Sequence, residues 1–104
     1  MAFEKEPGSY EKTVLSDLQG AWQNLRDEVV AAAGFSNWER VLFHIDEAMS
    51  WESVRNLQSM HNRLVIVRNL LGPEDVPRAL DDYLQDVNET MANALRALRE
   101  GNIS

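Results

Sequence analysis

The chain has 104 residues with 17 acidic and 10 basic side chains, a net charge of −7 and no cysteine. This length fits a single domain, residues 1–104, and the lack of cysteine excludes disulfides, thiol catalysis and cysteine-based zinc sites. The acidic balance argues against binding to nucleic acid or to anionic membranes, because those surfaces bind clustered lysine and arginine. It favours a protein partner with a basic surface.

The N-terminal residues 1–8 are polar and contain the breaker pair Pro7-Gly8, which predicts a loose arm. A first helix is predicted over residues 10–33, with Ser9 as its cap. Its apolar side chains recur at spacings of three and four, which places them on one face of a helix: Leu15, Leu18, Trp22, Leu25, Val29 and Ala32. Gly34 is expected to end this helix.

A short second helix is predicted over residues 37–49. The run Ser36-Asn37-Trp38-Glu39 matches a capping box, in which Ser36 and Glu39 bond each other's backbone N–H groups. The apolar pattern shifts its phase after Met49, which predicts a break near Ser50, with Ser50 as the cap of the next helix.

The third predicted helix covers residues 51–71 and is apolar on more than one face over residues 64–71. A helix of this kind is normally buried between neighbours, so we expect it to be the central packing element of the fold. Gly72-Pro73 is a strong helix-breaking pair and ends it.

The last helix is predicted over residues 76–100, with Asp75 as its cap and Pro77 in its first turn. Gly101 is expected to end it and residues 102–104 to fray. Asp81 is expected to lie level with Arg68 of the third helix and to pair with it. Short connections between helices predict an antiparallel up-down bundle of about four helices, three long and one short, and an all-α fold class.

No catalytic or cofactor motif is present. The chain lacks a glycine-rich phosphate loop and a Gly-x-Ser-x-Gly sequence. Neither His44 nor His61 follows a glutamate at the spacing that di-metal bundles use. The sequence therefore predicts no enzyme activity, no cofactor and no metal site.

His61 belongs to the run His61-Asn62-Arg63-Leu64-Val65 on the third predicted helix. A helical bundle with a histidine on a helix resembles a histidine phosphotransfer domain, in which a lysine and a glycine follow the histidine. That resemblance implies a phosphoryl-accepting role for His61, although here the base is Arg63 and the glycine is missing. The simpler interpretation, which we favour, is a boundary histidine hydrogen-bonded to the next helix.

Three acids of the last helix, Asp82, Asp86 and Glu89, lie at i, i+4 and i+7 and form one stripe. This stripe points away from the apolar face, so we expect it to bind a basic partner. Trp38 and Trp51 lie at predicted helix starts and are further candidate partner-binding residues, because tryptophan is frequent at binding hot spots.

The main prediction for function is a small non-enzymatic protein that binds another protein, as an adaptor, assembly factor or inhibitor. The alternatives are the phosphotransfer role of His61 and a structural subunit of a larger assembly such as a virion. Phe43 and Ile66 lie outside the apolar stripes of their helices, which predicts a homodimer that buries them. With no signal-peptide pattern in residues 1–6 and no apolar run of membrane-spanning length, a cytoplasmic protein is expected.

Overall fold

The described part of the chain is a bundle of four helices, so the predicted all-α fold class is confirmed. The computed structural model describes residues 9–50 and 57–101, with side chains from Val14 onward. Its helices are α1 (Ser9–Ala31), α2 (Trp38–Met49), α3 (Leu57–Leu70) and α4 (Leu80–Arg99). The predicted arm 1–8, the first turns of the predicted third helix and the predicted fraying of residues 102–104 lie outside the described residues.

The apolar face predicted for α1 is the largest contribution to the core. Leu18, Trp22, Leu25 and Val29 are each almost completely buried. The most extensive contact joins α1 and α4, and the next joins α2 and α3. The contact between α1 and α2 is smaller, and the contact between α3 and α4 is the smallest of the four. The helices therefore form a ring in which α1 and α4, which are far apart in sequence, share the largest interface.

α3 is not the central element, so that prediction is wrong. It buries a single stripe, formed by Leu57, Met60, Leu64 and Val67. Ile66 is 36% exposed. Within the described residues, α3 packs mainly against α2 and α4, the helices before and after it as predicted, and the apolar residues of 64–71 are not buried on all sides.

The connection from α1 to α2 uses two residues with left-handed backbone. Gly34 has φ of 111° and Asn37 has φ of 66°, and the glycine serves the turn because it adopts positive φ without a steric cost. The predicted capping box is wrong: Asn37, not Ser36, precedes the first helical residue, and no side chain caps the helix there. The Ser36 N–H donates instead to Asp75 Oδ2 at 2.7 Å.

The connection from α3 to α4 is longer than predicted. Asp75 accepts the hydrogen bond from Ser36 in the other connection rather than capping a helix at residue 76, and α4 begins at Leu80. Val76 is buried in this loop. The guanidinium of Arg78 donates to the carbonyls of Leu71 at 3.1 Å, Pro73 at 3.2 Å and Val76 at 3.0 Å. Arg78 thereby fixes a compact loop where the sequence suggested the first turn of a helix.

The second helix ends at Met49, as the predicted break near Ser50 requires. Ser50 follows the last residue of α2, and its hydroxyl donates to the Glu47 carbonyl at 2.7 Å. Ser50 therefore completes the end of α2, and its predicted role as the cap of the next helix depends on residues 51–56, which lie outside the described residues.

Candidate functional site

The acidic stripe of α4 is exposed along its whole length, since Asp82, Asp86 and Glu89 all face solvent. The opposite face of α4 carries its buried residues. The only described side chain that donates to one of these three carboxylates is Gln85, whose Nε2 lies 3.2 Å from Glu89 Oε2. None of the described ion pairs involves a carboxylate of the stripe.

A shallow concavity of about 360 Å³ lies between α1 and α4 beside this stripe. α4 contributes Asp86 and Glu89, and α1 contributes Asp17. The remaining lining residues are small or neutral: Ser16, Gly20, Ala21, Asn24 and Thr90. We call Asp17, Asp82, Asp86 and Glu89 together the acidic surface. No cationic side chain of the described residues lines the concavity, so nothing in its wall offsets the negative potential.

Gly20 lies in the middle of α1 and lines the concavity. A Cβ atom built on this glycine would meet nothing within 4 Å, so no described neighbour requires its lack of a side chain. Glycine inside a helix costs about 1 kcal/mol relative to alanine. Because Gly20 is exposed and has no side chain, the space above it is open to a group from solvent.

Asp81 pairs within its own segment, which corrects the predicted pairing with Arg68. Its Oδ2 lies 3.5 Å from Nη1 of Arg78. Arg68 instead donates to the side-chain carbonyl of Asn88 at 3.3 Å. Arg78 pairs with Asp81 instead of Arg68 because the two residues are only three positions apart, where the loop leads into α4.

On the other side of α4, a second groove of about 320 Å³ separates it from α3. Three arginines and one histidine line it, Arg68 and His61 from α3 and Arg96 and Arg99 from α4. The other lining residues are Leu64, Asn88, Met91, Ala92 and Leu95. We call this region the cationic groove. Its described lining contains no acidic side chain, although the whole chain carries a net charge of −7.

His61 is only partly exposed, and its Nδ1 is buried with no hydrogen-bond partner among the described residues. The expected hydrogen bond to the next helix is therefore not found at that nitrogen. The ring instead forms part of the wall of the cationic groove.

His44 has a structural role between α2 and α3. Arg63 Nη1 lies 2.9 Å from its Nδ1, so the guanidinium donates and the imidazole accepts. Burial lowers the pKa of His44, and the charges of Arg63 and Arg40 lower it further against the opposing effect of Glu47. A neutral ring suits this acceptor role.

The candidate residues outside the acidic surface differ in accessibility. Trp38 is partly buried and packs against the core, which leaves less of its ring for a partner. Trp51 lies outside the described residues. Phe43 is 57% exposed and Ile66 is 36% exposed, as the predicted self-association surface requires; the homodimer itself stays a prediction.

Within residues 9–50 and 57–101, no group of three or more histidine, aspartate or glutamate side chains is placed to hold a metal ion. No helix in the same ranges combines the length and the apolar character needed to cross a membrane.

The sequence signals for these sites were unequal. The stripe on α4 was visible from spacing alone, whereas Asp17 and Gly20 became part of the site only because α1 packs beside α4. Their spacing places both on the outer face of α1, but the sequence does not show which helix lies next to that face. The arginines of the cationic groove were missed for the same reason.

No family model, no curated protein and no solved structure matches this chain. A function for this chain therefore has to be inferred from the geometry of its described residues alone.

Proposed function

We propose that this chain is a non-enzymatic protein-binding module whose acidic surface receives a basic segment of another protein. An adaptor, an assembly factor and an inhibitor all work in this way. The observation that carries the proposal is the concavity between α1 and α4, where Asp17, Asp86 and Glu89 surround Gly20 without any cation among the described lining residues.

Charge placement supports binding over simple solubility. Like charges at i and i+4 destabilise a helix by a few tenths of a kcal/mol per pair. The helix dipole favours acids in the first turn only, and Asp86 and Glu89 lie beyond the first turn of α4. Gly20 adds its own cost to α1. A lysine or arginine from a partner would offset the repulsion and occupy the space above the glycine.

The acidic surface would act mainly on the rate of association. Complementary charges steer a partner during its approach, and salt screens this steering. We also propose a cytoplasmic location, since a chain without cysteine suits a reducing compartment.

A defined probe tests the proposal. The probe is a short lysine-rich synthetic peptide, and a peptide with glutamate in place of lysine is the control. Association with the protein is measured by stopped-flow fluorescence across a salt series. Replacing Asp86 with asparagine and Glu89 with glutamine should slow association and flatten its salt dependence, and replacing Asp82 with asparagine should extend both effects.

The matched control variant is Glu39→Gln with Glu74→Gln, which removes two exposed charges elsewhere on the surface. This variant should associate almost as fast as the wild type. The acidic-surface variants should melt at the same temperature or slightly higher. If they associate with the lysine peptide as fast as the wild type at low salt, the acidic surface serves solubility only and the proposal is wrong.

Two alternatives stay predictions. A phosphotransfer role would use His61, which lies beside the arginines of the cationic groove. A structural subunit of a larger assembly would use the exposed side chains of Phe43 and Ile66.

A further inference from the structure

The cationic groove is the least expected surface of this acidic chain. In the described residues, no carboxylate lies within ion-pair distance of Arg68, Arg96 or Arg99. The ion pairs of this part of the chain are formed by Arg26, Arg63 and Arg78. Among the same residues, Arg96 has only the side-chain oxygen of Asn93 as an acceptor, and Arg68 has only that of Asn88. Each guanidinium therefore keeps donors for an external anion.

The groove is also partly apolar. Leu95 and Ala92 of α4 are its accessible apolar side chains, and Leu64 and Met91 lie beneath them in the core. It exists because α3 and α4 pack less extensively than the other neighbouring helices. A ligand that fits this lining carries acidic groups on an apolar body.

The cations are spread along the groove. Arg68 is level with Asn88, to which it is hydrogen-bonded. At a rise of 1.5 Å per residue, the backbone of Arg96 lies about 12 Å and that of Arg99 about 16 Å beyond Asn88 along the axis of α4. An acidic helix or extended segment presents charges at this spacing, so it matches these backbone positions better than a single phosphate or carboxylate does.

We propose that the cationic groove binds an acidic, partly apolar segment of another protein. Arginine suits this role because its planar fork bonds carboxylates in pairs, and acidic motifs are recognised elsewhere by arginine clusters. A nucleic acid is a poorer match, since a long polyanion would extend beyond the groove over the surface of a chain with a net charge of −7. This site is separate from the acidic surface and does not depend on it.

The test uses the full chain and a synthetic helix with glutamate at every fourth position and leucine between. The same helix with glutamine in place of glutamate is the control. Binding is followed by backbone and His61 side-chain signals in nuclear magnetic resonance spectra. The glutamate helix should shift the signals of His61, Arg68, Arg96 and Arg99 in a saturable way, and the glutamine helix should bind more weakly.

Arg96→Gln should weaken binding of the glutamate helix about fivefold, as expected for loss of one exposed charge pair. The matched control is Arg40→Gln, which removes an exposed arginine from α2 and should change the affinity less than about twofold. The lysine-rich peptide should still bind to Arg96→Gln, which separates failure at this groove from failure at the acidic surface.

Three results would overturn the proposal. Equal binding of the glutamine helix would show that apolar contact alone is sufficient. Saturation of the same signals by inorganic phosphate at comparable affinity would indicate a small-anion site. Tighter binding of a single-stranded oligouridylate would identify a nucleic-acid surface instead.

Discussion

Replacing Gly20 with alanine should stabilise the fold. The added Cβ meets nothing within 4 Å, and the residue is an exposed interior position of α1, so no steric cost offsets the gain in helix propensity. The free energy of unfolding should rise by about 1 kcal/mol, which corresponds to a melting temperature about 4 °C higher for a domain of this size.

Urea denaturation followed by circular dichroism measures this change. The midpoint should rise while the slope of free energy against urea stays constant, because the surface exposed on unfolding is nearly unchanged. The converse variant Ala92→Gly, at an exposed interior position of α4, should lower the free energy of unfolding by a similar amount. A decrease in stability for Gly20→Ala would refute the conclusion that the space above this glycine is free.

The same position connects stability with binding. Gly20→Gln places a long side chain over the concavity and should leave the fold intact, yet it should weaken binding of the lysine-rich peptide. Binding equal to that of the wild type would mean that the glycine is not kept for a partner.

Four further expectations concern other parts of the molecule. Arg78→Lys should lower the free energy of unfolding by about 1 kcal/mol, because a lysine cannot bond three loop carbonyls at once and the site is solvent-accessible; urea denaturation measures it. Hydrogen bonds from Ser36 lower the pKa of Asp75 below its ordinary value of 3.8. The ionised Asp75 therefore stabilises the folded state above pH 3.8, and this stabilisation is lost as the pH falls through the lowered pKa of the folded state. The difference in stability between wild type and Asp75→Asn should therefore shrink on acidification, and a constant difference down to pH ~2 would contradict this. His61→Gln should cost no more than about 1 kcal/mol and change no activity; acid-labile phosphate on the wild-type protein would contradict this expectation and support phosphotransfer. Sedimentation equilibrium should show a dimer at micromolar concentration that Phe43→Ser with Ile66→Ser converts to monomer, and a monomeric wild type would refute the predicted self-association.

The sequence was sufficient to predict the helices and the ends of α1 and α2, but not the start of α4. Repeats of apolar residues at spacings of three and four placed α1 and α2 within two residues of their observed bounds. The predicted start of α4 was wrong by four residues. Arg78 donates to carbonyls of the loop between α3 and α4, and Asp75 of that loop accepts from Ser36 in the loop between α1 and α2. Such bonds join residues that local patterns treat as independent.

The candidate site divides in the same way. The stripe Asp82, Asp86 and Glu89 could be predicted from helical spacing within one segment. The concavity and the cationic groove needed the order in which the helices surround the core, and the apolar pattern of α3 suggested the wrong one. A stripe on one helix can be read from sequence, but a surface shared by two helices depends on which helices are neighbours.

The most extensive helix contact, between α1 and α4, joins segments near opposite ends of the chain. Few residues separate α2 from α3, whereas most of the chain separates α1 from α4, so bringing α1 and α4 together costs more loop-closure entropy. Contacts of this long sequence separation also slow folding. Asp17 and Asp86 form the walls of one concavity only when α1 and α4 are packed together. A ligand that bound at that concavity would therefore bind the chain with α1 packed on α4, and its binding free energy would add to the stability of the whole bundle.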